Sequence, residues 1–237
     1  MRIATSNLER LRRGRSRART YDTELHNLGA DVIVVTEPGP GFRDRHPQAI
    51  MSPENRASGE AWVAIVGPLL EPVALNIPYQ RLAVASRFDL DGAGVMIYGS
   101  VLPWLSAGTH APDVFGQQSR KFGEIFETAL DEQLADMIAL RSMYPEDYLL
   151  WAGDFNHTLV GPALSAEASI MLKNAIASLG LKAVNAESPH RAPGWHALDL
   201  ICVEEAWMCS SVESYYPLLD DRPLSDHRWY VAEVRPR

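Results

Sequence analysis

The sequence predicts a layered α/β domain in which strands outnumber helices. Eight short apolar runs, many rich in β-branched residues, indicate strands, and three longer segments carry apolar residues at helical spacing. The strands are too numerous for a fold that alternates one strand with one helix. No repeat, low-complexity tract or linker divides the 237 residues, so we expect a single domain over residues 1–237.

Strands are predicted over residues 2–5, 31–36, 61–66, 81–86, 94–102, 148–152, 198–203 and 229–234. The second is the clearest, because Val-Ile-Val-Val is β-branched and is followed by the breakers Pro38-Gly39-Pro40. The sixth is expected to break at Gly153-Asp154. Each of several runs ends in a polar residue that could take part in chemistry.

Helices are predicted over residues 20–28, 119–143 and 165–179. Gly29 and Gly180 are typical residues after a helix ends, and Ser165 is a typical N-cap. The longest helix is expected to bury one apolar face, formed by Phe122, Phe126, Leu130, Leu134, Ile138 and Met143.

The composition is that of an ordinary globular enzyme, with 46% hydrophobic and 22% charged residues. A formal net charge of −8 argues against broad, non-specific coating of nucleic acid. The two cysteines, Cys202 and Cys209, form no disulfide framework, and we find neither a signal peptide nor a membrane span. We therefore expect a cytoplasmic protein with no membrane association and no obligate protein partner.

Polar residues at or near the ends of predicted strands form the candidate site: Asn7, Glu37, Asp154, Asn156, Asp199, Asp226 and His227. Their carboxylate and carboxamide oxygens are the hard ligands that Mg²⁺ or Mn²⁺ prefers. Strand alternation is expected to send Asp154 and Asn156 to one face and Phe155 to the other. The histidines form no His-x-x-x-His pair and the cysteines have no ligand spacing, so zinc is not indicated.

Five segments, in order, resemble the motifs of the endonuclease/exonuclease/phosphatase superfamily, the DNase I-like fold. They are Thr-Ser-Asn-Leu-Glu at 5–9, Val-Val-Thr-Glu at 34–37, Gly-Asp-Phe-Asn at 153–156, Leu-Asp-Leu-Ile at 198–201 and Ser-Asp-His at 225–227. The resemblance implies a four-layer αββα sandwich of two packed mixed β-sheets. It also implies hydrolysis of a phosphate ester with Mg²⁺ or Mn²⁺ as cofactor.

The resemblance assigns roles to individual residues. Glu37 would be the principal metal ligand, aided by Asn7 and Asp226. Asp154 would orient or deprotonate the attacking water, and Asn156 would hold the phosphate. His227, oriented by Asp199, would bind or protonate at the scissile phosphate.

One strand departs from the family pattern. Where members of the family usually carry Tyr or His, this chain has Val101, and Tyr98, Trp104 or His110 are the candidates to replace it. His157 and His196 lie near the motifs but are more typical of structural or exposed histidines. Trp62, Trp104 and Trp195 could stack on bases, although core positions are more usual for tryptophan.

A dense basic run follows Asn7 and comprises Arg10, Arg12, Arg13, Arg15, Arg17 and Arg19. It is either a solvated loop and helix start or an arm that contacts phosphate groups, with Arg10, Arg12 and Arg13 as candidate substrate-binding residues. We favour a nuclease or related phosphodiesterase acting on nucleic acid. The alternatives are an esterase for a small nucleotide, inositol or lipid-like phosphate, and a non-catalytic phosphate-binding module of the same fold.

Overall fold

The computed structural model describes residues 1–9, 14–53, 60–75, 82–107, 121–191 and 193–237, with the backbone alone for residues 14–17. Arg10, Arg12 and Arg13 lie outside the described residues, as does His110. The predicted phosphate contacts of these three arginines therefore stay a prediction.

The described residues form fourteen strands and four helices. The strands are β1 (Arg2–Asn7), β2 (Val32–Thr36), β3 (Ile50–Met51), β4 (Val63–Val66), β5 (Glu71–Val73), β6 (Ala83–Leu90), β7 (Ala93–Val101), β8 (Tyr148–Asp154), β9 (Leu181–Ala183), β10 (Asp199–Glu204), β11 (Met208–Tyr215), β12 (Leu218–Leu219), β13 (Arg222–Pro223) and β14 (Trp229–Arg235). The helices are α1 (Gly14–Asn27), α2 (Phe42–Arg45), α3 (Phe122–Met143) and α4 (Ala166–Ser178). Among the described residues, no helix has the length and apolarity needed to cross a membrane.

Two six-stranded sheets dominate the described part of the chain. The first has the order β11-β14-β1-β2-β4-β3 and the second β5-β6-β7-β8-β10-β9. Each is mixed, because β1 runs parallel to β2 and β7 parallel to β8, while the other neighbouring pairs are antiparallel. The predicted pair of mixed sheets is confirmed.

Along each strand, successive side chains point to opposite faces of the sheet, so the two faces of a sheet can pack against different layers. Ile3 and Val34 of the first sheet belong to one core cluster with residues of the second sheet, such as Ile97. The opposite face of the first sheet, including Ile33, forms a second cluster with Tyr21 and other residues of α1. Phe126 of α3 and Leu172 of α4 pack into the cluster of the second sheet, among others. The layers are therefore helix, sheet, sheet and helix.

The two sheets approach each other closely at Gly99 of β7. A Cβ atom there would lie 3.0 Å from Cγ1 of Val63 and 3.1 Å from Cγ1 of Val34, both in the first sheet. These distances are shorter than ordinary carbon–carbon contact, so a side chain at this position would push the sheets apart.

The eight predicted strands are all present, with small differences in their bounds. The expected break at Gly153 was wrong, because β8 continues through Asp154. Strand β11 was not predicted, since its sequence, Met-Cys-Ser-Ser-Val-Glu-Ser-Tyr, has few apolar residues. It lies at the edge of its sheet and is only partly buried, so it needs no continuous apolar pattern.

The expected apolar face of the longest helix was partly wrong. Ile138 and Met143 are 56% and 58% exposed, whereas Gln133, Asp136 and Leu140 are buried. A repeat of four residues drifts around a helix that has 3.6 residues per turn, so a face that begins at Phe122 turns outward near its end. The polar Gln133 is accommodated because its Nε2 donates to the carbonyl oxygen of Val101, 3.1 Å away.

Candidate active site

Strand pairing brings the polar strand ends to one edge of the sandwich. In the first sheet, Asn7 pairs with Thr36, so Glu37 follows directly beside Asn7. In the second sheet, Asp154 pairs with Asp199. Residues that are distant in sequence are thus neighbours at rigid strand tips, as the sequence predicted for this group.

A hydrogen bond between buried side chains joins β1 of the first sheet to β8 of the second at this edge. Nδ2 of Asn7 donates to Oδ2 of Asp154 over 3.0 Å, and both side chains are buried. The backbone N–H of Glu9 donates to Oδ1 of Asn7 over 2.8 Å, which orients the carboxamide so that its NH₂ group faces the carboxylate. Asn7 therefore fixes the position of Asp154.

The segment after Asp154 reaches the site by an irregular backbone. Phe155 is buried in the core, and Asn156 adopts the left-handed region with φ of 54°. The expected strand alternation was therefore wrong beyond Asp154, because the strand ends there. The N–H of Asn156 donates to Oδ1 of Asp154 and its Nδ2 donates to the carbonyl oxygen of Leu102, each over 2.9 Å. These bonds hold the carboxamide of Asn156 next to the carboxylate.

The backbone just before Asp154 requires glycine at position 153. Its φ is 141°, and a Cβ atom would lie 2.0 Å from the backbone oxygen of Ser100 on the neighbouring strand. The Gly153→Ala protein is expected to lose about 3 kcal/mol or more of unfolding free energy, as for other strained buried substitutions. Urea unfolding measures this loss.

Gly123→Ala is the matched control for this prediction. Gly123 lies in α3, and a Cβ atom there would be 3.9 Å from the nearest atom outside its own helix, an oxygen of Glu167. Alanine favours helix over glycine, so this variant is expected to be as stable as wild type or slightly more stable. Equal stability of the Gly153→Ala and Gly123→Ala proteins would contradict the strain argument.

Asp199 and His227 form a close pair. Nδ1 of His227 lies 2.6 Å from Oδ2 of Asp199, so Nδ1–H donates to the buried carboxylate. The hydroxyl oxygen of Ser225 accepts the N–H of His227 over 3.1 Å. Nε2 of the imidazole is then the nitrogen left for chemistry, and it lies 3.9 Å from Oδ1 of Asp226.

Two further residues support this pair and were not found from the sequence. Asn185 is buried, and its carboxamide donates to the backbone oxygen of Asp199 and accepts from the N–H of Ile201, each over 2.8 Å. The ring of His190 packs edge to face on the ring of His227, with centroids 5.6 Å apart. Neither residue follows a predicted strand, and neither belongs to a motif, so the sequence alone gave no signal for them.

The site concentrates charge in a buried volume. Ligand atoms of Asp154, Asp199 and His227 all lie within 4.8 Å of one another. The pKa of Asp154 is raised to about 7, chiefly by burial and then by the charge of Asp199, with a smaller contribution from Glu37. The charge of His227 opposes this shift. Burial alone would lower the pKa of His227, but the charges of Asp199 and Asp154 raise it well above its usual value. The neighbouring carboxylates therefore favour the protonated imidazole.

These residues fit a divalent cation. Oδ1 of Asp199 is buried and has no hydrogen-bond partner among the described residues, and the carboxylates of Asp199, Asp154 and Asp226 all act on the imidazole of His227. The donors are hard oxygens, which suit Mg²⁺ or Mn²⁺. Glu37 is half-buried, with its N–H bonded to the carbonyl oxygen of Trp62, and Asp226 is 54% exposed beside His227. The roles of Asn7, Glu37 and Asp226 as ligands stay a prediction.

Several other candidates lie away from this cluster. Tyr98 is fully buried beneath α3, near Asp136, and does not replace the missing aromatic at Val101, which is buried itself. His157 is buried and stacks on Phe122 of α3, with centroids 5.4 Å apart.

The remaining aromatic and histidine candidates have structural contacts. The rings of Trp62 and Trp104 pack together with centroids 5.7 Å apart, and Trp62 is buried. Nδ1 of His196 lies 3.1 Å from the carbonyl oxygen of Glu187. Cys202 is buried in the core.

Comparisons with known proteins identify the fold. No protein-family model matches the chain, and no curated protein sequence matches it. Among solved structures, the endonuclease domain of TRAS1, a telomere-specific non-LTR retrotransposon, has a TM-score of 0.66 at 16% identity, over 99% of this chain and 98% of that one. The 3′–5′ exonuclease NExo of Neisseria meningitidis has a TM-score of 0.65 at 17% identity, over 98% and 99%.

A third similar structure is TDP2 of D. rerio in complex with a single-strand DNA product. Its TM-score is 0.64 at 14% identity, over 99% of this chain and 98% of that one. The structural neighbours are endonuclease/exonuclease/phosphatase proteins, and this chain has their DNase I-like fold. The resemblance inferred from the five motifs is confirmed at the level of the fold.

Proposed function

We propose that this chain is a divalent-metal-dependent phosphodiesterase that hydrolyses nucleic acid as a single catalytic domain over residues 1–237. The observation that carries the proposal is the buried cluster of Asp154, Asp199 and His227, with a carboxylate of raised pKa beside an imidazolium held by a second carboxylate. Such a cluster supplies both a proton acceptor and a proton donor. The DNase I-like fold supports a phosphoric ester hydrolase.

Asp154 is the residue suited to activate water. A general base works best when its pKa lies near the operating pH, and burial raises the pKa of Asp154 to about 7. Asn7 and the N–H of Asn156 hold its two oxygens in place. Asp154 would take a proton from water as the water attacks phosphorus.

His227 is the residue suited to act on the phosphate oxygens. Its Nδ1–H is bonded to Asp199, so a proton on Nε2 is available to a phosphate or to the leaving oxygen. The carboxamide of Asn156, fixed by Leu102, would contact a second phosphate oxygen. Glu37, with Asn7 and Asp226, would hold the cation, which supplies Lewis-acid neutralisation of the phosphate charge when bound.

Nucleic acid is the favoured substrate class. The similar structures include an endonuclease domain, an exonuclease and a protein crystallised with single-strand DNA. A small nucleotide, inositol or lipid-like phosphate is the second candidate, favoured by the net charge of −8 and by the buried Val101. A non-catalytic module is disfavoured because the sequence retains the acidic residues and the histidine of the five motifs.

The substrate class is tested by a hydrolysis panel. Purified protein is incubated with plasmid DNA, RNA, bis-p-nitrophenyl phosphate and inositol phosphates, each with Mg²⁺, with Mn²⁺ and with EDTA. We expect metal-dependent hydrolysis of nucleic acid and of bis-p-nitrophenyl phosphate, and none in EDTA. Full activity in EDTA would refute metal dependence, and turnover of inositol phosphates alone would favour the second candidate.

A further inference from the structure

The edge of the sandwich that carries the candidate site continues past His227 toward the edge strand β11. Strand β14 pairs with β1 on one side and with β11 on the other, in the order β11-β14-β1. Thr5 pairs with Tyr230, and Tyr215 pairs with Trp229, so the start of β14 lies at the same edge as Asn7. The residues just before β14 therefore sit between the catalytic cluster and the end of β11.

Arg228 occupies this position and is held by its aromatic neighbour. The guanidinium carbon lies 5.3 Å from the ring centroid of Tyr216, and Nη1 is 3.5 Å from the hydroxyl oxygen of Ser214. The described residues include no carboxylate within 4 Å of this guanidinium, and its Nε is buried without a partner among them. A guanidinium that stacks through its face keeps its N–H edge available to a phosphate.

A second arginine reaches the same end of the site through a short hairpin. The N–H of His190 donates to the carbonyl oxygen of Trp195 over 2.9 Å, and the N–H of Ala197 donates to that of Ser188 over 3.0 Å. The hydroxyl of Tyr230 in β14 donates to the carbonyl oxygen of Pro189 over 3.0 Å. These bonds fix the hairpin against β14.

The hairpin places His190 against His227, and the exposed Arg191 follows His190 directly. Both arginines are thus sequence neighbours of the paired imidazoles, Arg228 of His227 and Arg191 of His190. The nearby acid at this end, Asp226, is one of the predicted ligands of the cation, so bound metal would offset its repulsion of an anion. With a net charge of −8, the chain offers no general attraction for a polyanion, and local cations decide where it binds.

We propose that Arg228, aided by Arg191, binds a second phosphate group of the substrate next to the scissile one. The inference rests on the proposed function and narrows it: the substrate is a polynucleotide strand with at least one further phosphate, and not a lone phosphate ester. The subsite would give a local cationic contact to a chain whose net charge of −8 offers no general attraction for a strand.

Arg228→Gln tests the subsite, with Arg235→Gln as its matched control. Arg235 is an exposed arginine at the other end of β14, about 23 Å away at 3.3 Å per residue. Binding of a fluorescein-labelled thymidine dodecamer with hydrolysis-resistant phosphorothioate linkages is measured by anisotropy at a fixed Mg²⁺ concentration over a series of NaCl concentrations. The slope of log Kd against log salt is expected to fall by about 0.7 for Arg228→Gln and by about 1.4 when Arg191→Gln is added.

The Arg235→Gln protein is expected to keep the wild-type slope. An Arg228→Gln slope equal to that of Arg235→Gln, or no binding of the dodecamer by wild type, would overturn the subsite. Circular dichroism confirms that each variant is folded. Binding is measured without turnover, so this result does not depend on catalysis. If wild type hydrolyses no ester in the presence of metal, that failure refutes the proposed function and leaves the result of the binding test unaffected.

Hydrolysis of the unmodified dodecamer gives a second readout. The loss of kcat/KM in Arg228→Gln is expected to be about tenfold larger for this dodecamer than for bis-p-nitrophenyl phosphate, which has a single phosphate. One lost charge-assisted contact accounts for a change of this size. Equal losses for both substrates would contradict the subsite.

Discussion

The Asp154→Asn protein is expected to lose about a thousandfold in kcat/KM for metal-dependent hydrolysis of bis-p-nitrophenyl phosphate. The amide cannot accept a proton from water, and general-base assistance is typically worth about a hundredfold to ten-thousandfold. The substitution also places an NH₂ group where Nδ2 of Asn7 now donates to a carboxylate oxygen. Steady-state kinetics in Mg²⁺ and Mn²⁺ measure the loss.

The same variant is expected to be at least as stable as wild type without metal. Burial raises the pKa of Asp154 from 3.8 to about 7, so the folded protein holds a proton that the unfolded chain releases. The contribution of protonated Asp154 to stability is therefore greatest below pH 4 and is lost as the pH rises through about 7. Asn carries no charge, so the advantage of Asp154→Asn over wild type grows between pH 5 and pH 8.

Urea unfolding in EDTA at these two pH values measures the advantage. Asp131→Asn, an exposed position in α3, is the control for removal of a carboxylate and is expected to show no such dependence. If the Asp154→Asn protein keeps wild-type kcat/KM, or if its stability relative to wild type falls between pH 5 and pH 8, the assigned role and environment of Asp154 are wrong.

The Asp199→Asn protein is expected to lose about a hundredfold or more in kcat/KM. Burial lowers the pKa of His227, and the charges of Asp199 and Asp154 raise it, so removal of the Asp199 charge lets the pKa fall. The imidazole then loses its proton at a lower pH. The basic limb of the pH–rate profile should shift to lower pH, and an NMR titration of His227 in the metal-free protein should show the same direction.

Asp220→Asn serves as the control, because Asp220 is exposed and lies in the turn between β12 and β13. It is expected to leave both the rate and the profile unchanged. An Asp199→Asn protein with an unshifted basic limb would show that Asp199 does not sustain the charge of His227.

Much of the fold could be predicted from the sequence, because most of its strands are buried and therefore carry continuous apolar runs. Residues 32–35 lie in the middle of a sheet covered on both faces, so the run Val-Ile-Val-Val had to be apolar throughout. The edge strand β11 is half-exposed and carries no such pattern. The burial of Gln133 depends on a hydrogen bond to Val101 from another element, which local spacing does not encode.

Part of the candidate site could be predicted from the sequence for a similar reason. Residues at the termini of buried strands, such as Asp154 at the end of β8 and Asp199 at the start of β10, are constrained by the pairing of those strands and can be found from the pattern. Asn185, His190 and Arg228 act through contacts between loops and distant strands. Asn156 required a left-handed backbone that strand alternation does not anticipate.

The central claim is that the carboxylates at these strand tips hold a divalent cation. A titration of metal-free protein with Mn²⁺, followed by the melting temperature, tests it directly. We expect a saturable rise in the melting temperature of wild type, equivalent to about 2.7 kcal/mol at a hundred times Kd, and a much smaller rise for Glu37→Gln. No rise in wild type at millimolar Mn²⁺, or an equal rise in both proteins, would contradict the account.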